Sequence, residues 1–169
     1  MYSGKRAGFS LAKTSTVLTL TDNSGSEGRD TLTGIERLHF ADSKIAYDMD
    51  GRAGQTAKLL GAVFGVAALG NKQLVGIGLQ LLDGGMSYEQ LAGLAVAAAG
   101  KTSHADVVSL LWANLVGVAP TTDQAAPVVA LLDGGVSVGA LTVVVAELSL
   151  NAERINLVGL AQSGLESMS

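Results

Sequence analysis

The sequence predicts an α+β fold, mostly α: a short N-terminal β-meander followed by two degenerate three-helix repeats and a terminal helix. Three observations predict it. Apolar residues recur every second position up to about residue 50 and at helical spacing after it. The pentapeptide LLDGG stands at 81–85 and again at 131–135, each time running on into a Ser and then a Leu. Finally, 169 residues at 48% hydrophobic and 15% charged can fill one ordinary core, yet 22 Gly against one Trp, three Tyr and three Phe leave that core short of bulk. Small residues let backbones approach closely, so tightly packed elements are expected.

In the first part, Thr16 to Thr21 places Leu18 and Leu20 on one face and threonines on the other, as a half-buried strand does. Phe9 and Leu11, Leu38 and Phe40, and Ile45, Tyr47 and Met49 repeat that period. Residues 8–49 therefore read as about four short strands in a small meander, with 22–34 as the longest loop. Residues 1–50 form this unit and 51–169 the helical one.

Helices are expected near 53–68, 72–83, 88–99, 104–117, 122–132, 138–148 and 151–164. In the fourth, Val107, Leu111 and Leu115 share a stripe with Val108 and Trp112 beside it, and Ser103 is placed to cap it. Ser87 with Gln90, and Thr121 with Gln124, spell capping boxes.

The two LLDGG copies lie 50 residues apart, and the match extends backwards at an offset of 51: Leu59-Leu60 faces Leu110-Leu111, Ala62 faces Ala113 and Gln73 faces Gln124. Ser87 faces Ser137 and Leu91 faces Leu141. This is an internal repeat of three short helices, a unit that buries its apolar face on its neighbour. Each Gly-Gly then ends a helix through a left-handed cap. A phosphate loop would need a preceding strand and a Gly-Lys-Ser/Thr ending, and neither is written here.

Net charge is −4 and no Lys/Arg run could follow a phosphate backbone, so nucleic acid is not an expected partner. With zero Cys there is no disulfide, thiolate metal site or cysteine nucleophile. No apolar stretch reaches the about 20 residues of a transmembrane helix. MYSGKRAGFS has no apolar core of a secretory signal, so export would use another address. Met1 directly before strand-like sequence suggests a segment of a longer chain.

The stretches DTLTGIERLHFADSKIAYDMDGRAGQTAKLLGAVFG, LLDGGMSYEQLAGLA and INLVGLAQSGLE together resemble the helical repeat domain of unknown function found in large bacterial exoproteins of the repeats-in-toxin (RTX) kind, exported by type I secretion. The resemblance covers most of the chain. It departs where such repeats carry Tyr or Trp between helices: here stand Val75, Gly76, Ile77, Val128 and Val129. It implies an extracellular or cell-surface bacterial protein, adhesive or structural, whose partners are itself, the remainder of its parent exoprotein, or a cell-surface or matrix polymer.

RTX nonapeptides bind calcium between turns of a β-roll, which makes Asp30 in GSEGRDTLT (25–33) a calcium candidate. The next nine residues do not continue the pattern, and one turn cannot supply both sides of a site. DMDG at 48–51 makes Asp48 and Asp50 further candidates, but Ala46 and Ala57 fall where an EF-hand loop needs its first ligand and its bidentate Glu. A turn into a helix explains them as well. No cofactor is otherwise expected.

Catalytic spellings are sparse. His39 alternates with Leu38 and Phe40 as an outward strand residue, and His104 falls in the first turn of a helix; both read as solvated. No Gly-x-Ser-x-Gly elbow occurs, and Ser163-Gly164 has no neighbouring His. Asp83 and Asp133 are repeat-equivalent but sit where turns use Asp. The expectation is a non-catalytic accessory module supporting export, surface or matrix attachment, or self-association. A hydrolase domain and a small-ligand or glycan binder are the alternative classes. Mean hydropathy of +0.38 and helices apolar nearly all round, at 91–97 and 141–146, favour burial of further surface in a homo-oligomer or on the parent protein.

Overall fold

The computed structural model describes residues 1–14 and 16–168. Among the described residues, the N-terminal alternation builds five of the six strands of two three-stranded antiparallel sheets. β1 (Phe9–Lys13), β2 (Val17–Asp22) and β3 (Arg29–Thr33) form the first, in that order, with Leu18 opposite Leu32. β4 (Arg37–His39), β5 (Ser43–Ala46) and the C-terminal β6 (Leu165–Met168) form the second, with β5 in the middle.

The short meander is there, but β3 occupies much of 22–34, the stretch expected as its longest loop, and the strands at 37–46 leave it for a sheet of their own. The chain turns out of β3 at Gly34, whose φ of 65° suits a residue without a Cβ. Leu165–Met168, which periodicity left in the helical part, pairs with β5 through Lys44 opposite Ser167 and Ile45 opposite Glu166. Four residues are too few to show a period.

Phe9, Leu18, Leu20, Leu38, Phe40, Ile45 and Tyr47 form one buried cluster between the two sheets. Tyr2 closes it, with ring centroids 5.3 Å from Phe9 and 5.7 Å from Phe40. The opposite face of the second sheet offers Ala46 and Leu165 to the helices.

Eight α-helices follow among the described residues. α1 (Arg52–Phe64), α2 (Lys72–Asp83) and α3 (Tyr88–Ala98) are repeated in order by α4 (His104–Val116), α5 (Thr122–Asp133) and α6 (Val138–Ala146). Both capping boxes form, and Ser103 and Ser137 accept from the third amide of their helices. Both Gly-Gly pairs close Schellman motifs. In the first, Met86 N–H donates to Leu81 C=O at 3.0 Å and Gly85 N–H to Leu82 C=O at 3.1 Å; Val136 to Leu131 (3.1 Å) and Gly135 to Leu132 (3.0 Å) copy it. The left-handed residue is the second glycine, at φ 95° in Gly85 and 101° in Gly135.

The caps also correct the repeat's alignment. Gly51 and Ser103, and the helix-ending Gly65 and Gly117, are 52 apart, whereas Asn71 and Thr121, and Ser87 and Ser137, are 50 apart. Two residues are lost in the first connection of the second copy, where the 3₁₀ turn Val66–Gly70 of the first has no counterpart element. That turn is why α1 stops at Phe64 instead of 68. The expected helix at 151–164 is α7 (Ser149–Arg154) and α8 (Leu157–Ser163), divided at Asn156. Asn156 takes a left-handed φ of 51° and its side chain accepts from Gly159 N–H, as asparagine readily does.

The two copies interlock. α3 packs along α6, and α1 against both α4 and α6, around Leu59, Val63, Leu91, Val96, Val107, Leu111, Leu132 and Leu141. Two amides stitch the layers: Asn114 donates to the carbonyls of Ala62 and Val63 (3.0 and 2.8 Å), and buried Asn151 to those of Lys58 and Ala146 (2.9 and 2.8 Å). A Cβ on Gly61 would run into Ile155 Cγ2, so glycine lets α1 approach Ile155 without displacing it. On α4, Val107, Val108 and Leu111 are buried as the stripe requires, while Leu115 and Trp112 are only half-buried.

Candidate functional site

The second sheet has one face that the sandwich does not use. Strand register puts Arg37 and His39 of β4, Lys44 and Ala46 of β5, and Leu165 and Ser167 of β6 on it. α2 lies along β6, close enough that a Cβ on Gly76 would touch Ser167 Cβ at 3.7 Å. Its Val75 and Leu79 bury Ala46 and Leu165. The β4 side stays uncovered, and a groove of about 600 Å³ opens there. Its floor is Arg37, His39, Lys44 and Ser167, its wall Gln73, Gln80 and Asp83 of α2. Ile77 and Met168, both about half exposed, stand on its rim.

Charge is unevenly satisfied across this groove. At one end Arg37 pairs with Asp48 and approaches Asp83 at 3.7 Å, and Arg52 pairs with Asp83 at 3.1 Å. Burial pulls the Arg37 guanidinium below its usual pKa, against the opposing pull of Asp83 and Glu36. At the other end, His39 and Lys44 face one another across β4 and β5. Among the described residues neither side chain has a hydrogen-bonding or ionic partner.

Of the calcium candidates, Asp48 meets the groove through Arg37, while Asp30 and Asp50 do not line it. Asp30, on β3, accepts from the Tyr2 hydroxyl at 2.8 Å. That phenol is pushed up to about 12 by burial first and then by Asp30, so it stays a donor. Asp48 pairs with Arg37 and accepts from Ala53 N–H at 3.2 Å, fixing the start of α1. Asp50 is exposed. Among the described residues no three His, Cys, Asp or Glu side chains converge on one point. Asp30 and Asp48 are each bonded to protein donors, whereas a calcium ion takes 6–8 oxygens.

The repeat-equivalent acids have partners too. Asp83 pairs with Arg52, the first residue of α1, and Asp133 with His104 Nδ1 at 2.6 Å, the first residue of α4. His104, read from sequence as merely solvated, is therefore half of an interhelical contact. Ser163 is exposed and its hydroxyl donates to Gly164 C=O at 3.3 Å.

Sequence reasoning missed the groove. Arg37, His39 and Lys44 carried a signal, since they alternate with Leu38 and Ile45 and must face away from the aromatic core. Ser167 carried none, because β6 was not legible. No protein-family model, curated protein or solved structure matches this chain.

Proposed function

We infer that the chain is a non-catalytic accessory module of a secreted, RTX-like bacterial exoprotein, exported by type I secretion and serving surface or matrix attachment or self-association. One observation carries the reading: the repeat-equivalent ionisable residues are committed to holding helices together, Asp83 to Arg52 and Asp133 to His104. Groups bound to one another in both copies of a repeat serve its architecture. Half-exposed apolar residues on the interlocked helices, Leu94 of α3 and Val144 of α6, supply surface for self-contact or for docking onto the parent protein.

The test is location. An epitope tag inside the native reading frame, followed in culture medium, at the cell surface and in cytosol, is expected outside the cell and to depend on a type I exporter. Tag confined to the cytosol overturns the reading.

A further inference from the structure

We propose that the groove between α2 and the β4 side of the second sheet binds the oxyanion of a small hydroxylated ligand, through Lys44 and His39 with Ser167 and the α2 amides. This goes beyond the accessory-module reading and does not depend on it.

The sheet register carries the argument. His39 lies directly opposite Lys44, and Lys44 directly opposite Ser167, so one row crosses all three strands. Opposite residues have Cβ atoms about 5 Å apart, which places an imidazole, an ammonium and a hydroxyl side by side on the groove floor. Two groups that can both carry positive charge are unfavourable neighbours without an anion between them. The cations nearby are each neutralised: Arg37 by Asp48, Arg52 by Asp83 and Lys72 by Glu166 at 2.7 Å. Lys44 is not, in a chain whose net charge is −4.

The groove's shape agrees with its charge. A volume of about 600 Å³ is in the range of small-ligand sites. Its wall offers the amides of Gln73 and Gln80, which both donate and accept and so suit hydroxyl groups. The Asp83 carboxylate, at the far end, is held by Arg52 and so does not cancel Lys44. A carboxylate or a phosphate would meet the same donors: Lys44 as an ammonium, Ser167 as a hydroxyl and His39 through one ring N–H even when neutral.

Isotope-labelled full chain would be titrated with glucuronate, with inorganic phosphate, with uncharged glucose and with chloride at matched ionic strength, while backbone amide signals are followed. Saturable shifts at residues 37–46, 73–83 and 165–168 are expected with glucuronate, with phosphate, or with both. Which of the two works identifies the oxyanion as carboxylate or phosphate. Lys44→Gln should weaken binding about tenfold, the scale of one charge-assisted hydrogen bond, Lys44→Arg should largely restore it, and Lys101→Gln, outside the groove, should leave it unchanged. The spectrum of each variant without ligand reports its folding. Absence of saturable groove shifts with either oxyanion overturns the proposal; so do equal shifts with glucose or chloride, or wild-type affinity in folded Lys44→Gln.

Discussion

His104 Nδ1 lies 2.6 Å from Asp133 Oδ1, and this contact occupies the place in the second repeat that Arg52 and Asp83 occupy in the first at 3.1 Å. In each copy the first residue of the first helix holds the last residue of the second helix. The clamp survives a change of cation, so the repeat preserves a geometry and not a residue. His104→Arg should therefore be tolerated, the second clamp then being built as the first is. Both pairs are largely open to solvent, so Asp83→Asn and Asp133→Asn should each cost no more than about 1 kcal/mol and lose their effect in high salt. Denaturant titrations at low and high salt check this. For Asp83 the larger loss is expected, because Arg37 also approaches it.

Gly85→Ala and Gly135→Ala should destabilise equally, by about 1–2 kcal/mol each, the cost of a left-handed residue with a Cβ. Neither added Cβ would meet an atom within 4 Å, so conformation is the sole cost at both. Gly61→Ala differs in mechanism: it drives a methyl into Ile155 and should cost about 1–3 kcal/mol through overpacking. Equilibrium unfolding of the three variants separates the two causes, since only the Gly61 loss should depend on what stands at 155.

Acid should weaken the first sheet through Asp22. Its carboxylate accepts from Glu27 N–H (2.8 Å), from the Ser24 hydroxyl and N–H (2.7 and 2.9 Å) and from the Ser26 hydroxyl (2.9 Å). These bonds, the Glu27 amide first, hold it far below the usual carboxylate range. A carboxyl that ionises more easily folded than unfolded adds stability above its ordinary pKa of 3.8, and that stability is lost as pH falls below it. Asp22→Asn should thus be less stable than the parent at neutral pH and should show a flatter acid limb in urea titrations.

Calcium should leave the fold's stability unchanged, because the oxygens of Asp30 and Asp48 already serve Tyr2, Arg37 and the start of α1. Melting curves in millimolar calcium and in chelator should coincide. A rise in Tm with calcium, removed by Asp30→Ala or Asp48→Ala, would contradict this.

The helical half was legible in the sequence because its signals are local. A hydroxyl three residues before a glutamine announces Ser87 and Thr121 as caps, and a repeated Gly-Gly announces the Schellman turns. What was not legible depends on partners far along the chain. β6 is a strand because β5 offers it an edge, and Leu165 to Met168 carry too short a pattern to say so. The division of the strands into two sheets likewise follows from packing. His104 and Asp133 looked idle because they lie 29 residues apart in sequence and meet only when α4 and α5 fold back on one another. The groove was half readable: period two sends Arg37, His39 and Lys44 outward, but only β6 and α2 give them a wall.

The central claim is that the two repeats form one cooperative unit, neither copy having a core of its own. α1 needs α4 and α6, α3 needs α6, and the second sheet needs β6 from the far end of the chain. The most direct measurement is the thermal melt of a 1–100 fragment beside the full chain, by circular dichroism and calorimetry. The fragment should show little helix and no cooperative transition, while the full chain melts in one step; a soluble fragment with helical signal and a sharp melt of its own would contradict the account.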